Sequence, residues 1–242
     1  MSSIPLSVED VHKQFGPVKA VRGISFEVKS GEVMGIIGPN GAGKTTTIKM
    51  ILGLLQPDKG KISLFGSTIA DEAVRQRIGY MPESPTFYNH LTGREILTFV
   101  GELFRLDKKE IKKRSNELIE LVGLNKAADR PLREYSKGML QRIDLAQALI
   151  NEPDLLFLDE PMDGLDPIGR IRMKEIILSI KERGASIVFN SHILSDVEAI
   201  SDRILVIDQG KMLKYGTVKQ LVPANKTLED VFISLVEAND AL

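Results

Sequence analysis

Gly38-Pro39-Asn40-Gly41-Ala42-Gly43-Lys44-Thr45 stands between a continuous apolar run, Val33 to Ile37, and a helix-forming stretch, Thr46 to Leu55. A strand, a glycine-rich turn and a helix in immediate succession leave few folds open. The glycines let the backbone turn sharply, so that successive N–H groups point inward as a nest for phosphate oxygens. Lys44 adds a compact positive charge. The helix beginning near Lys44 contributes its unpaired N–H groups and the positive end of its dipole, and the Thr45 hydroxyl is suited to ligating a Mg²⁺ that bridges phosphates. The loop, through Thr46, is expected to bind nucleotide.

Composition narrows what surrounds this loop. The chain has 242 residues, 43% hydrophobic and 27% charged, which is enough to bury a sizeable core. Its formal net charge of -1 gives no global electrostatic reason to expect nucleic acid or an anionic membrane as a ligand. With no cysteine there is no disulfide framework and no thiolate metal site, which fits a reducing cytosol. Met1 to Val11 lacks an apolar core of signal-peptide length, and runs such as Leu155 to Leu158 are far too short to span a bilayer. A soluble protein is expected.

Ile24, Phe26 and Val28 alternate with Ser25, Glu27 and Lys29, the period of a half-buried antiparallel strand near the N-terminus. Val33 to Ile37, Leu155 to Leu158, Ile187 to Phe189 and Ile204 to Ile207 are instead continuous apolar runs, expected as parallel strands covered on both faces. Between Pro82 and Asn151 the periodicity becomes helical, with capping-box spacing at Thr92/Glu95 and again at Asp107/Glu110, and a helix from near Ser136 toward Asn151-Glu152-Pro153. The fold class is therefore α/β: a P-loop NTPase core with a mostly parallel sheet, an N-terminal antiparallel β subdomain and an inserted all-helical subdomain. One composite domain is expected, with residues 1–83 and 151–220 as the nucleotide-binding core, 84–150 as the helical subdomain and 221–242 as a short helix-like tail.

A phosphate loop alone is shared by many enzymes, so the second motif matters more. Leu155-Leu156-Phe157-Leu158-Asp159-Glu160 is a buried strand ending in two carboxylates. Asp159 is delivered to the Mg²⁺ side of the phosphates and Glu160 to the attacking water, for which hydrolysis needs a base. A third segment is Tyr135-Ser136-Lys137-Gly138-Met139, followed by Gln141 and Arg142. Read alone, Ser136 is an ordinary helix N-cap.

Together with Gly164-Leu165-Asp166 and His192, these motifs resemble the ATP-binding subunit of ABC transporters across essentially the whole chain. The resemblance implies ATP and Mg²⁺ as cofactors and a head-to-tail dimer, homodimeric or formed with a related ATPase. In it, Ser136 and Gly138 of one copy touch the γ-phosphate held by Lys44 of the other. It further implies that His192 contacts the γ-phosphate and supports Glu160, and that Asp166 communicates between the two ATP sites. Phe15 falls where the family stacks an aromatic under adenine, with core packing as the rival reading. The signature departs from the family's commonest Leu-Ser-Gly-Gly-Gln at Tyr135, Lys137 and Met139; Lys137 either adds charge near the partner's ATP or is simply solvated. Glu83 stands where many members carry a glutamine that binds Mg²⁺ and water and contacts the membrane subunit. A carboxylate still binds Mg²⁺, but when ionised it donates no hydrogen bond.

Pro82-Glu83, the Tyr-Ser-Lys-Gly-Met signature and Leu228-Glu229-Asp230-Val231-Phe232 resemble the branch that serves exporters with separate membrane subunits, namely drug, sodium, gliding-motility and copper-site-maturation systems. Glu83 to Glu95 is also similar to the ATPase associated with nitrous-oxide-reductase assembly. The expected function is a dimeric ATP-hydrolysing motor that drives a separate transmembrane permease, peripheral on the cytoplasmic face of the membrane and not bound to nucleic acid. A non-transport ABC ATPase and a nucleotide-sensing adaptor are the alternatives.

Overall fold

The computed structural model describes residues 4–240. Its strands and helices run β1 Leu6–Phe15, β2 Val18–Val28, β3 Val33–Ile37, α1 Lys44–Ile51, β4 Lys59–Leu64, α2 Glu72–Arg75, β5 Ile78–Met81, α3 Gly93–Leu103 and α4 Lys108–Leu121. After a 3-10 turn at Leu132–Glu134 come α5 Lys137–Ala148, β6 Leu155–Asp159, α6 Pro167–Glu182, β7 Ser186–Asn190, α7 Leu194–Ile200, β8 Arg203–Asp208, β9 Lys211–Thr217, α8 Val218–Leu221 and α9 Leu228–Asp240.

The four continuous apolar runs are β3, β6, β7 and β8. They lie in a six-stranded sheet of order β5-β6-β7-β3-β8-β9, all parallel except β9, which pairs antiparallel with β8. Both faces are covered: Val33 and Ile37 of β3 enter one core with the helical segment, while Met34 and Ile36 enter a second beneath the N-terminal strands. That double burial is why these strands lack polar alternation. The Ile24–Phe26–Val28 alternation belongs to β2, which pairs antiparallel with β1 in a separate sheet of order β2-β1-β4. Because β3, β7 and β6 are adjacent and parallel, their carboxyl ends open onto one edge of the sheet, the usual place for a ligand crevice.

Within residues 93–148 the regular elements are all helical, α3, α4, the 3-10 turn and α5, as the periodicity predicts. The box at Thr92 is complete: Thr92 N–H donates to Glu95 Oε2 (2.8 Å), and Glu95 N–H donates to Thr92 Oγ1 (3.2 Å). At Asp107 only half forms. Asp107 Oδ1 accepts from Lys109 and Glu110 N–H, but the Glu110 carboxylate turns forward to Arg114 (2.8 Å) instead of back to the cap. One further expectation needs correction. The helix after the glycine loop stops at Ile51, short of Leu55, because Gly53 takes a left-handed φ of 68° and reverses the chain. Within the span expected as a helix-like tail, residues 221–242, lies one helix, α9, preceded by the last residue of α8 and the connection 222–227, and residues 241–242 lie outside the described residues.

Tyr135, one of the departures in the signature, is a core residue. It is buried, and its hydroxyl donates to Ala127 O at 2.7 Å. Tyr135→Phe should lower stability by about 1 kcal/mol by removing one of the two donors to that carbonyl, which keeps the Arg130 N–H, read as a lower urea midpoint at unchanged m; an unshifted midpoint would show that the hydroxyl contributes nothing.

Candidate active site

The glycine loop delivers its backbone between β3 and α1. Gly43, immediately before α1, has φ 107°, a region closed to residues with a Cβ, and a side chain there would also strike Ala20 O. Gly38 is demanded by contact instead: a Cβ on it would collide with Ile207 O. Lys44 folds back over the loop, its Nζ donating to Gly38 O (2.8 Å) and Pro39 O (3.2 Å). Burial holds the Lys44 ammonium below its ordinary pKa, partly offset by the negative charges of Glu160, Asp159 and Glu83. Asn40 to Thr46, Glu83 and Glu160 line one cleft of about 200 Å³.

Asp159 ends β6 and Glu160 follows it with φ 52°, a left-handed conformation that costs a non-glycine residue on the order of 1–3 kcal/mol. Asn190, at the end of the adjacent strand β7 and fully buried, holds both carboxylate residues. Its Oδ1 accepts the Glu160 N–H (2.7 Å), and its Nδ2 donates to Asp159 Oδ1. Thr45 Oγ1 donates to that same oxygen at 3.1 Å. Two residues past β7, His192 Nδ1 lies 2.9 Å from Glu160 Oε2, and its backbone N–H donates to that oxygen at 3.3 Å. A buried carboxylate is thus fixed at the mouth of the glycine loop. The sequence reading missed Asn190; its only signal was a polar residue ending a continuous apolar strand.

Hard oxygen donors from Thr45 and Asp159 converge beside the phosphate nest, a donor set that fits Mg²⁺. Among the described residues no three His, Asp or Glu side chains are grouped to hold a metal, so such an ion would depend on ligand oxygens as well.

The other predicted residues lie outside this cleft. Ser136 caps α5, accepting the Met139 N–H at 3.3 Å, and is exposed at the helix N-terminus beside the half-buried Gly138. Asp166 caps α6, accepting the Gly169 N–H at 2.6 Å. These two helix starts adjoin, since Lys137 Nζ bonds Asp163 Oδ2 at 2.9 Å. Lys137 is therefore largely exposed but also ion-paired. Phe15, at the end of β1, is 47% exposed, which removes core packing as its role, and Lys13 Nζ sits 5.6 Å from its ring centre.

Residues 21–163, the span from β2 through the Asp159-Glu160 strand end, match the family model described as ABC transporter. The chain belongs to the ABC transporter family. An ABC transporter ATP-binding protein of Nostoc sp. is 49% identical over 212 residues, covering 87% of this chain and 63% of the relative, so the chain spans under two thirds of that relative's length. A Nod factor export ATP-binding protein of Burkholderia lata is 40% identical over 224 residues, covering 92% of this chain and 74% of that one. Among solved structures, an ATP-binding subunit of an ABC transporter superposes with a TM-score of 0.87 at 31% identity, covering 96% of this chain and 99% of its own. That ATP-binding subunit thus shares the fold over nearly the whole chain.

Proposed function

We propose that the chain is the ATP-hydrolysing motor subunit of an ABC transporter, closing as a dimer over two ATP molecules and driving a separate membrane subunit in export. The observation that carries this reading is Glu160: a buried carboxylate, locked between Asn190 and His192, facing the cleft of the phosphate loop. ATP binding rests on residues 38–46, with Phe15 offering an exposed ring for adenine. Glu160 accepts a proton from water as the water oxygen attacks the γ-phosphorus and the bond to the ADP oxygen breaks, giving ADP and phosphate. His192, hydrogen-bonded to Glu160, keeps that carboxylate aimed and reaches toward the same phosphate. Mg²⁺ held by Thr45 and Asp159, with Glu83 as a further oxygen donor, would neutralise charge on the phosphates.

One chain supplies half of such a site. The exposed N-terminus of α5, with Ser136 and Gly138, is the anion-binding surface that a second copy, or a related ATPase, would bring to the γ-phosphate, while Asp166 at the adjoining helix start would link the two sites. No helix among the described residues is long and apolar enough to cross a membrane; on this reading the translocation path belongs to the membrane subunit. The name of the Burkholderia relative supports export, and the near-balanced charge argues against duplex nucleic acid as the partner. The test is to solubilise membranes in mild detergent and recover the chain with its companions. Recovery of a polytopic membrane subunit, with vesicle-bound chain on the cytoplasmic side, is expected; a stable assembly without any membrane protein would overturn the transporter reading in favour of an assembly factor.

A further inference from the structure

The hairpin joining β8 to β9 lies against the glycine loop. Asp208 ends β8 and pairs across the turn with Lys211, and the two residues between them, Gln209 and Gly210, take φ of 45° and 77°, the left-handed pair of a tight two-residue turn. Gly210 N–H donates to Ala42 O at 3.0 Å, and Gly210 O accepts the Arg22 N–H at 2.7 Å. Ile207 O occupies the space that a Cβ on Gly38 would need, and Ala20 O, which lies beside Gly210, does the same at Gly43. The phosphate loop therefore rests at Gly38 and Ala42 on this hairpin, and at Gly43 on the strand β2 that the hairpin holds.

The tail reaches the same hairpin. α9 packs against α7, β8 and β9. It starts where Leu228 N–H donates to Glu198 Oε2 (2.9 Å), and close to its end Asn239 Nδ2 donates to Asp208 Oδ2 at 2.7 Å. Asp208 is only 5% exposed, and a carboxylate at that depth needs donors. An amide 31 residues further along the chain supplies one at the base of the turn. In the sheet, β8 flanks β3 on the side opposite β7 and β6, so the hairpin lies across β3 from the strand ends that carry Asp159, Glu160 and Asn190. It adjoins the part of the site that holds nucleotide, not the part that holds the base.

We infer that Asn239 is a positioning residue for the phosphate loop, an inference that rests on reading residues 38–46 as the nucleotide site. By holding Asp208 it fixes the β8–β9 turn, and the turn holds the loop in the shape that receives phosphates, so the tail helix sets nucleotide affinity. Without the amide, the Asp208 carboxylate turns toward water and draws Gly210 with it. Ala42 O then loses its donor, and ordering the loop N–H groups becomes a cost of binding instead of a property of the free chain.

The test is calorimetric binding of ADP with Mg²⁺ to the full chain, because ADP lacks the γ-phosphate and so reads the loop without dimer closure. Asn239→Ala should weaken ADP about three- to ten-fold, within the range for coupling through a packed network. Asn239→Asp, which keeps the volume but sets a second carboxylate against Asp208, should weaken it at least as much, whereas Asn239→Gln, which keeps the amide donor, should recover most of the affinity. Turnover at saturating ATP should stay within about two-fold of native, so that the loss appears in KM and not in kcat. Asp208→Ala should match Asn239→Ala, and the double variant should bind no more weakly than Asp208→Ala alone. A tail that only stabilises the fold would lower the urea midpoint and leave the ADP affinity of the folded variants unmoved. Native ADP affinity in Asn239→Ala and Asn239→Asp, additive losses in the double variant, or a fall in kcat at unchanged KM would each overturn the inference. Failure of the nucleotide reading itself shows differently, as a native chain that binds no ADP.

Discussion

Glu160→Gln should lower ATP turnover about 10²–10⁴-fold while leaving ATP binding intact, the range for removing a positioned general base. The amide is nearly isosteric with the carboxylate and still offers an oxygen where His192 Nδ1 now meets Oε2, so the geometry of the β6 end should survive. What it cannot do is take the proton from water. Because Lys44, Thr45 and the loop N–H groups are untouched, bound ATP should persist, and with hydrolysis blocked the closed dimer should accumulate as a species of doubled mass in size-exclusion chromatography with ATP. Lys44→Ala, by contrast, should remove binding and the dimer together. Turnover near the native rate in Glu160→Gln would sink the assignment of Glu160 as the base, and with it the mechanistic half of the proposal. His192→Ala should lie between the two: Glu160 keeps its proton-accepting oxygen but loses the ring that aims it.

The parts of this site that were legible in the sequence are those encoded contiguously. The phosphate loop carries its meaning in eight adjacent residues, and the Asp159-Glu160 pair announces itself because two acids ending a buried strand conflict with burial unless they have a task. Continuous apolar runs likewise gave away β3, β6, β7 and β8, since double burial removes polar alternation. The short edge strands were less visible: β4 is mostly exposed or half-buried and β5 spans only four residues, so neither carries enough periodicity to stand out. Asp107 shows a second limit. Its spacing to Glu110 satisfies the capping box, yet Arg114, one turn further on, competes for the same carboxylate and wins, and spacing alone cannot rank two partners. Asn190 is hidden for a related reason. It is the first of three polar residues after an apolar run, and what it does depends on which strand the fold sets beside it.

Asn190→Ala should therefore cost both stability and activity, by a route independent of the base. The side chain is fully buried and ties two neighbouring residues of the site together: it donates to Asp159 and accepts from the Glu160 N–H. Alanine orphans that N–H, removes one donor from a carboxylate at 1% exposure, and leaves a small void at the end of β7. Together these should lower folding stability by about 2–4 kcal/mol, the sum expected for an unmet buried donor and a weakened buried acid. Turnover should fall about 10²-fold, because Glu160, no longer pinned in its left-handed conformation, drifts from its aimed position by a distance on the order of 1 Å. Asn190→Asp separates the causes. It preserves volume and the acceptor for Glu160 N–H but sets a second carboxylate against Asp159, so if the bridging donor matters it should be no more stable than Asn190→Ala. Urea midpoints and single-turnover rates of the two variants measure this; a near-native Asn190→Asp would show that the donor to Asp159 contributes nothing and leave the acceptor for the Glu160 N–H as what Asn190 supplies.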